Sequence, residues 1–453
     1  MTRTLTEGRR GFRSNLTWTA LSAGTSQASL VLLNILLARL VAPAEFADFL
    51  VVLTLTTFIP AVFSLGLERL GVVILSNAAG SERRSWLRAI LLVAVASSGL
   101  AALVALGLSQ TGLLHAQTWG SAGLVAVLAF AENCRLILAD LPRSWNRADV
   151  AALLSPGLPR LALVVVVLVL AASDVTVGLT QALAALALLT LAVDLAAAVV
   201  LMRLARVGDE PAASGLRGGI GRVGVGRVVR MGAPLSGGNL ALVCLNQLDV
   251  LVVAHFFSPS VVASYALVSR LSNLIGNVVT MVNVALLPVL SRQPDSAADA
   301  ARQERTARVA MTGLFAVVLV PSAVALLAPA AILGILFGSD LTDAAVAMPI
   351  LVAGQLVNVA TGLSGSFLLR DGRRRVIVAT QAGCAAVLIP CVWAAGAAHS
   401  LPLVALASAA GTAGCSVVLT AILFATTRTR TWLVGPATLR ASSTIVAEAP
   451  VEA

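Results

Sequence analysis

Residues 38–49 read Ala38-Arg-Leu-Val-Ala-Pro43-Ala-Glu-Phe-Ala47-Asp-Phe49, and residues 254–265 read Ala254-His-Phe-Phe-Ser-Pro259-Ser-Val-Val-Ala263-Ser-Tyr265. The offset is 216 throughout: Ala, Pro and Ala coincide, and an aromatic follows at Phe49 and Tyr265. Farther on, Ile74-Leu75-Ser76 answers Val289-Leu290-Ser291 after a one-residue slip. Chance identities are common in a chain rich in Ala, Val and Leu, so position carries more weight than the matches themselves. Each stretch falls at the turn between the first and second long apolar segment of its half. An offset of six such segments preserves orientation, so the halves are expected to form a parallel repeat about an axis along the membrane normal.

A membrane helix needs about 20 mostly apolar residues. Such segments run over 14–38, 46–67, 86–108, 119–140, 152–172, 177–202, 231–256, 261–287, 309–336, 344–369, 376–396 and 402–425. The fourth carries Glu132 and Arg135, and the fifth has Pro156 and Pro159 near its start. Of the 453 residues, 58% are hydrophobic and 11% charged, against about 25% charged in a soluble domain. The mean hydropathy is +0.95. The chain has too little polar surface to cover a water-exposed globule. The expected fold is an all-α polytopic membrane protein of about twelve spans in two six-helix lobes related by a parallel pseudo-two-fold. The lobes are placed at 1–205 and 231–427, with a Gly/Arg-rich cytoplasmic linker at 206–230 and a disordered cytoplasmic tail at 428–453.

The net charge of +10 comes from Arg alone. Twelve spans put both termini on one side. That side collects Arg3, Arg9, Arg10 and Arg13, then Arg83, Arg84 and Arg88, then Arg143 and Arg147. It also takes Arg203 through Arg230, Arg292 through Arg308, Arg370 through Arg375, and Arg428, Arg430 and Arg440. The opposite loops hold Arg39 as their one Arg, with Glu45, Asp48, Asp174, Asp340, Asp343 and the three His (His115, His255, His399). This asymmetry follows the positive-inside rule and predicts cytoplasmic termini. Because the Arg are spread over separate loops, no nucleic-acid surface is expected. The basic N-terminus is followed by no convincing cleavage site for a signal peptide. The five Cys lie in apolar stretches without CxxC or metal-like spacing and read as core residues; no metal or cofactor is expected.

Polar residues within the spans are the candidate site. Arg270 lies about ten residues into the eighth span, roughly 15 Å deep at 1.5 Å per residue. Arg270, Asn273, Asn277 and Thr280 follow at spacings of 3, 4 and 3, which puts them on one helical face. Ionisable groups at bilayer depth face a cavity or a partner. A guanidinium suits a diphosphate, because its planar fork stays charged and binds two oxygens at once. The other reading is an ion pair with Asp249. The seventh span carries Asn239, Asn246 and Asp249 on a second polar stripe; Asp249 is expected either to bind a coupling cation or proton, or to hold Arg270. The first span adds Ser22, Ser26, Ser29 and Asn34, and the tenth Gln355, Asn358 and Thr361; singly, such residues often just join helices. Arg39, the external exception, is a further anchor for a charged headgroup. Arg69, near the cytoplasmic end of the second span, either snorkels or meets an incoming headgroup. Glu132 and Arg135, three apart, can pair locally, whereas Asp194 in the sixth span has no evident partner.

The first half reads "ARLVAPAEFADFLVV". The second reads "APLSGGNLALVCLNQLDVLVVAHFFSPSVVASYALVSRLSNL", then "LLPVLSR", "LFGSD" and "LLRDGRRR". These stretches, within residues 10–425, resemble the oligosaccharide-lipid flippases, the polysaccharide-exporter branch of the multidrug/oligosaccharidyl-lipid/polysaccharide (MOP) exporter superfamily. The resemblance rests on many weak positions rather than one sharp motif. It implies two six-helix lobes around a central cavity, alternating access, and an undecaprenyl-diphosphate-linked saccharide as substrate at a bacterial plasma membrane. Membrane lipids, a polysaccharide polymerase and glycosyltransferases are the partners expected with it.

No Walker-type phosphate loop is present, no Ser/His/Asp or Cys/His constellation is apparent, and no external loop is long enough for a catalytic domain. An enzyme is therefore not expected. The alternatives are a cation-coupled exporter of drugs or metabolites on the same fold, an integral-membrane polymerase or ligase, and a non-transporting scaffold.

Overall fold

The computed structural model describes residues 2–433 apart from 79, 111–118, 146, 174–177, 208–224 and 291–295. Within bilayer hydrocarbon every backbone donor and acceptor must be satisfied internally, which leaves helices or closed barrels. The described residues form helices and their connections, with no strand among them. In chain order the helices are α1 Thr2–Leu40, α2 Pro43–Phe63, α3 Leu67–Asn77, α4 Gly80–Ser109, α5 Trp119–Leu138, α6 Ala148–Leu153, α7 Gly157–Ala172 and α8 Leu179–Val207. They continue as α9 Val225–Phe256, α10 Pro259–Leu290, α11 Ala297–Leu327, α12 Pro329–Phe337, α13 Ala347–Thr361, α14 Ser364–Arg370, α15 Arg374–Ala397 and α16 Leu401–Thr427. Ten stretches among the described residues are long and apolar enough to cross a membrane. The other two expected spans are α7, apolar but only 16 residues long, and α10, with 32.

The repeat is visible in these boundaries. α1 ends at Leu40 and α2 begins at Pro43; α9 ends at Phe256 and α10 begins at Pro259. Both pairs differ by the 216 residues of the sequence offset (256 − 40 and 259 − 43). Proline suits a helix start, where its missing N–H would be unpaired anyway.

Several expected spans are broken where backbone chemistry requires it. The second stops at Phe63. Leu65 and Gly66 then take φ of 54° and 63°, and α3 restarts the chain in a new direction. Glu68 and Arg69 thus belong to α3. Pro156 and Pro159 divide the fifth into α6 and α7, Pro329 separates α11 from α12, and Gly362 interrupts the tenth between α13 and α14. The segment expected as a linker is helical at both edges, through Val207 and from Val225; residues 208–224 lie outside the described part.

The chain forms two compact units, Met1–Leu267 with Leu333–Asp343, and Val268–Ile332 with Ala344–Ala453. In the first, α2 is largely buried, with α4, α5, α8 and α9 against it. α9 belongs to this unit because it fits closely there. Gly232 abuts the α2–α3 turn so tightly that a Cβ on it would collide with the Leu65 carbonyl oxygen. Asn239 of α9 donates to Glu68 Oε1 at 2.5 Å. Lipid is as apolar as Leu, so such close packing and polar contacts, rather than hydrophobic burial, hold spans together.

In the second unit, α13 packs on α11 and α16, and α15 on α16. The first residues of the segment expected as a tail, 428–433, pack against this unit. Arg428 ends α16 with φ 57°. Thr431 is then buried, its hydroxyl within 2.9 Å of both Ser364 Oγ and the Thr361 carbonyl. The Trp432 carbonyl accepts from Arg308 Nε at 3.1 Å, and its ring lies edge-on to Phe424. Two hydroxyl bonds and an aromatic contact offset the ordering cost of so short a segment. Residues 434–453 lie outside the described part.

Candidate functional site: polar groups within the spans

In the second unit the polar face of α10 meets polar residues on two other helices. Gln355 Nε2 on α13 donates to Asn273 Oδ1 at 2.9 Å. Asn358 Nδ2 donates to Gln355 Oε1 at 3.4 Å, and Ser416 Oγ on α16 donates to Asn358 Oδ1 at 2.7 Å. One continuous relay thus joins α10, α13 and α16. α10 has no side chain at Gly276: a Cβ there would collide with Gln355 Oε1, so the glycine makes room for the relay. Arg270 and Asn277 sit on the same helix and are part-buried. The Thr280 side chain lies outside the described part.

In the first unit Asp249 is 2% exposed. Its Oδ2 accepts the Tyr265 hydroxyl at 2.8 Å and its Oδ1 the Val250 N–H at 2.9 Å. Tyr265, the aromatic of the repeat, is fully buried and supplies the donor that keeps this carboxylate satisfied. Asn246, expected to face a cavity, donates to Leu242 O of its own helix at 2.7 Å. Arg39 is exposed and donates to the carbonyls of Ile335 at 2.7 Å and Leu336 at 3.3 Å. It thereby caps the C-terminal end of α12, where a cation complements the helix dipole. The backbone of Arg69 is in α3; its side chain lies outside the described part. Ser29 Oγ bonds Ser26 O of the same helix at 3.1 Å, a contact within α1 rather than across a cavity.

A third cluster lies elsewhere in the first unit. Glu132 and Arg135 form the expected i,i+3 ion pair, both 7% exposed. Between them Asn133 donates to Ser98 Oγ at 2.8 Å and Ser97 Oγ at 3.2 Å, tying α5 to α4. Outside the spans, Arg147 grips Asp149 through Nε and Nη2 at 2.9–3.3 Å. That hydrogen-bonded guanidinium holds the Asp149 carboxyl below its ordinary range. Arg147 is thus an ordinary loop cation with a local partner.

Sequence reasoning names the polar residues of α10, α13 and α9 as candidates. It misses Tyr265 and Ser416 because a Tyr or Ser in an apolar run carries no signal of its own; only the fold supplies their partners.

Residues 12–293 match the profile of the family described as polysaccharide biosynthesis protein. The chain belongs to this family. A second profile, MatE, matches residues 234–394. No curated protein matches significantly. Among solved structures, the MATE multidrug transporter DinF-BH, determined as a ligand complex, aligns with TM-score 0.64 and 17% identity, covering 94% of this chain and 97% of that one. The lipid II flippase MurJ, in its inward closed conformation, aligns with TM-score 0.63 and 11% identity over 90% and 87%. An inward-facing multidrug resistance MATE family transporter of the MOP superfamily gives 0.60 and 14% over 89% and 96%. At these identities the likeness establishes the fold, which is MOP-like. This member of the polysaccharide biosynthesis protein family is a multi-pass membrane protein, with ten stretches among its described residues long and apolar enough to cross a bilayer.

Proposed function

We propose that this protein flips a saccharide carried on undecaprenyl diphosphate across a bacterial plasma membrane by alternating access, with both termini cytoplasmic. The observation that carries the reading is the polar face of α10, with Arg270, Asn273 and Asn277 inside a span of a polysaccharide biosynthesis protein. A guanidinium at the centre of a span costs about 3 kcal/mol on insertion scales. A diphosphate headgroup returns that energy through paired charge-assisted hydrogen bonds. Asn273, held by Gln355, and Asn277 add neutral donors and acceptors suited to sugar hydroxyls. Asn246, Arg69 and Arg39 complete the set of substrate-contact candidates, with Asp249 as ion-pair or coupling residue.

A second reading, cation-coupled export of drugs or metabolites, is favoured by the MatE match and the likeness to DinF-BH. It predicts that a lipophilic cation, not a diphosphate, competes for the site. The experiment separating the two reconstitutes the full chain in proteoliposomes and follows a lipid-linked saccharide and a cationic rhodamine dye side by side. Saccharide movement without dye movement supports the flippase; the reverse supports the exporter.

A further inference from the structure

One face of α8 turns inward, with Leu183, Leu186, Thr190 and Leu201 buried, while Leu188 and Leu195 are each 68% exposed. Asp194 is on the inward face. It is 7% exposed, and among the described residues neither carboxylate oxygen has a hydrogen-bond partner. Such a group contrasts with Asp249, whose two oxygens both accept.

The charged groups facing Asp194 are Arg135 and Glu132, from α5. α7 brings Arg160 to the same pair. Cys134 is the remaining titratable neighbour, its Sγ donating to Ser98 Oγ at 3.1 Å. Ser97 and Ser98 are the neutral groups that α4 adds to the cluster. The Leu141–Trp145 turn also packs on α8, with its Arg143 paired to Asp140.

An ionised carboxylate in an apolar interior without hydrogen bonds is costly, by several kcal/mol even after relaxation. Asp194 escapes that cost in one of two ways: it binds a proton, or it takes an opposite charge. The opposite charge facing it, on Arg135, is committed to Glu132, while Arg135 Nε is buried with no hydrogen-bond partner among the described residues. Glu132 holds Arg135 and also has Arg160 beside it, whereas the cation facing Asp194 is Arg135, already engaged; Asp194 is therefore the carboxylate that needs a proton. Among the described residues no group of three His, Cys, Asp or Glu could hold a metal ion. A proton needs no ligand cage, so it suits this site where a metal cation does not.

We propose that Asp194 is a proton-binding site inside the first unit, loaded when Arg135 is held by Glu132 and emptied when Arg135 turns to Asp194. Loading converts the carboxylate to a neutral acid; emptying returns the proton to water as the Asp194–Arg135 pair forms. Cycling between these states couples a proton gradient to transport. That last step rests on the transport reading above, whereas the proton site itself does not.

The test is pH-resolved infrared difference spectroscopy on the full chain in liposomes, between about pH 5 and 9. Wild type is expected to show a titrating carbonyl band of a neutral carboxylic acid. The band is lost in Asp194→Asn and kept in Asp249→Asn. In Glu132→Gln, Arg135 is free to pair with Asp194, so the band appears only at lower pH. No titrating band in wild type, or its survival in Asp194→Asn, overturns the proposal. Asp194→Asn is nearly isosteric and uncharged, and is expected to elute as wild type does; should it not, the Glu132→Gln shift decides. In proteoliposomes with a pH dye, added undecaprenyl-diphosphate-linked saccharide should dissipate a pH gradient with wild type and not with Asp194→Asn. Equal dissipation by both defeats coupling through Asp194 and leaves the flippase intact. The infrared band with no saccharide movement defeats the flippase and leaves the proton site intact.

Discussion

The side-chain amide of Gln355 donates to Asn273 Oδ1 at 2.9 Å, which fixes the α10 asparagine one turn from Arg270 and ties it to α13. The bond exists because Gly276 leaves the space that Gln355 occupies. Gly276→Ala is therefore expected to push Gln355 aside and release Asn273. Since the displaced atom ends a flexible side chain, folding should survive. Substrate translocation should fall by the same factor as in Gln355→Ala, and the double variant should be no worse than either. Additive losses in the double variant would show that the glycine acts elsewhere.

Tyr265 and Asp249 form a buried neutral–anion hydrogen bond. Tyr265→Phe leaves a carboxylate oxygen without its donor and should lower stability by about 1–3 kcal/mol. Asp249→Asn retains an acceptor for the hydroxyl and should cost less. Thermal unfolding in detergent, read on both variants, checks the order; equal losses would contradict it.

Arg39 caps α12 through the Ile335 and Leu336 carbonyls. Removing it should cost about 0.3–1 kcal/mol, as for exposed cations at a helix C-terminus. Arg39→Lys restores the charge and should recover most of that stability. Translocation by Arg39→Ala should stay well above that of Arg270→Ala. If instead it falls as far with unchanged stability, Arg39 is primarily a substrate contact.

The segment after α16 is bound through Thr431 and Trp432. Thr431→Val removes a buried hydroxyl shared by Ser364 and the Thr361 carbonyl and should cost about 1–3 kcal/mol. Ending the chain after Thr427 should cost at least as much. A melting temperature unchanged by both would mean that the segment does not hold the α13–α14 break.

Much of the fold is legible in the sequence because the bilayer imposes strict rules. Apolar length marks the spans, and Pro43 and Pro259 mark the same helix start in each half. The face shared by Arg270, Asn273 and Asn277 follows from helical spacing alone. What is not legible depends on contacts between distant segments. Glu132–Arg135 is local and can be read, but Asp194 reaches that pair only when α8 packs on α5. Arg39 looks unpartnered until α12 folds beneath it. The grouping of α9 with α2 depends on Gly232 meeting the Leu65 carbonyl, a fit that no pattern of hydropathy encodes. The order in 428–433 is equally hidden, because short polar segments usually stay solvated, and here hydroxyls and a ring from distant helices receive one.

The most direct test of the flippase reading is translocation of an undecaprenyl-diphosphate-linked saccharide by the purified chain in proteoliposomes, scored by accessibility of the sugar to an added lectin. Wild type should move the lipid across the bilayer. Arg270→Ala should be slower by about tenfold or more, the loss of one charge-assisted hydrogen bond or two, while folding as wild type does. A wild-type protein that leaves the saccharide where it was and extrudes the rhodamine dye instead, or an Arg270→Ala variant that flips at the wild-type rate, would contradict the account.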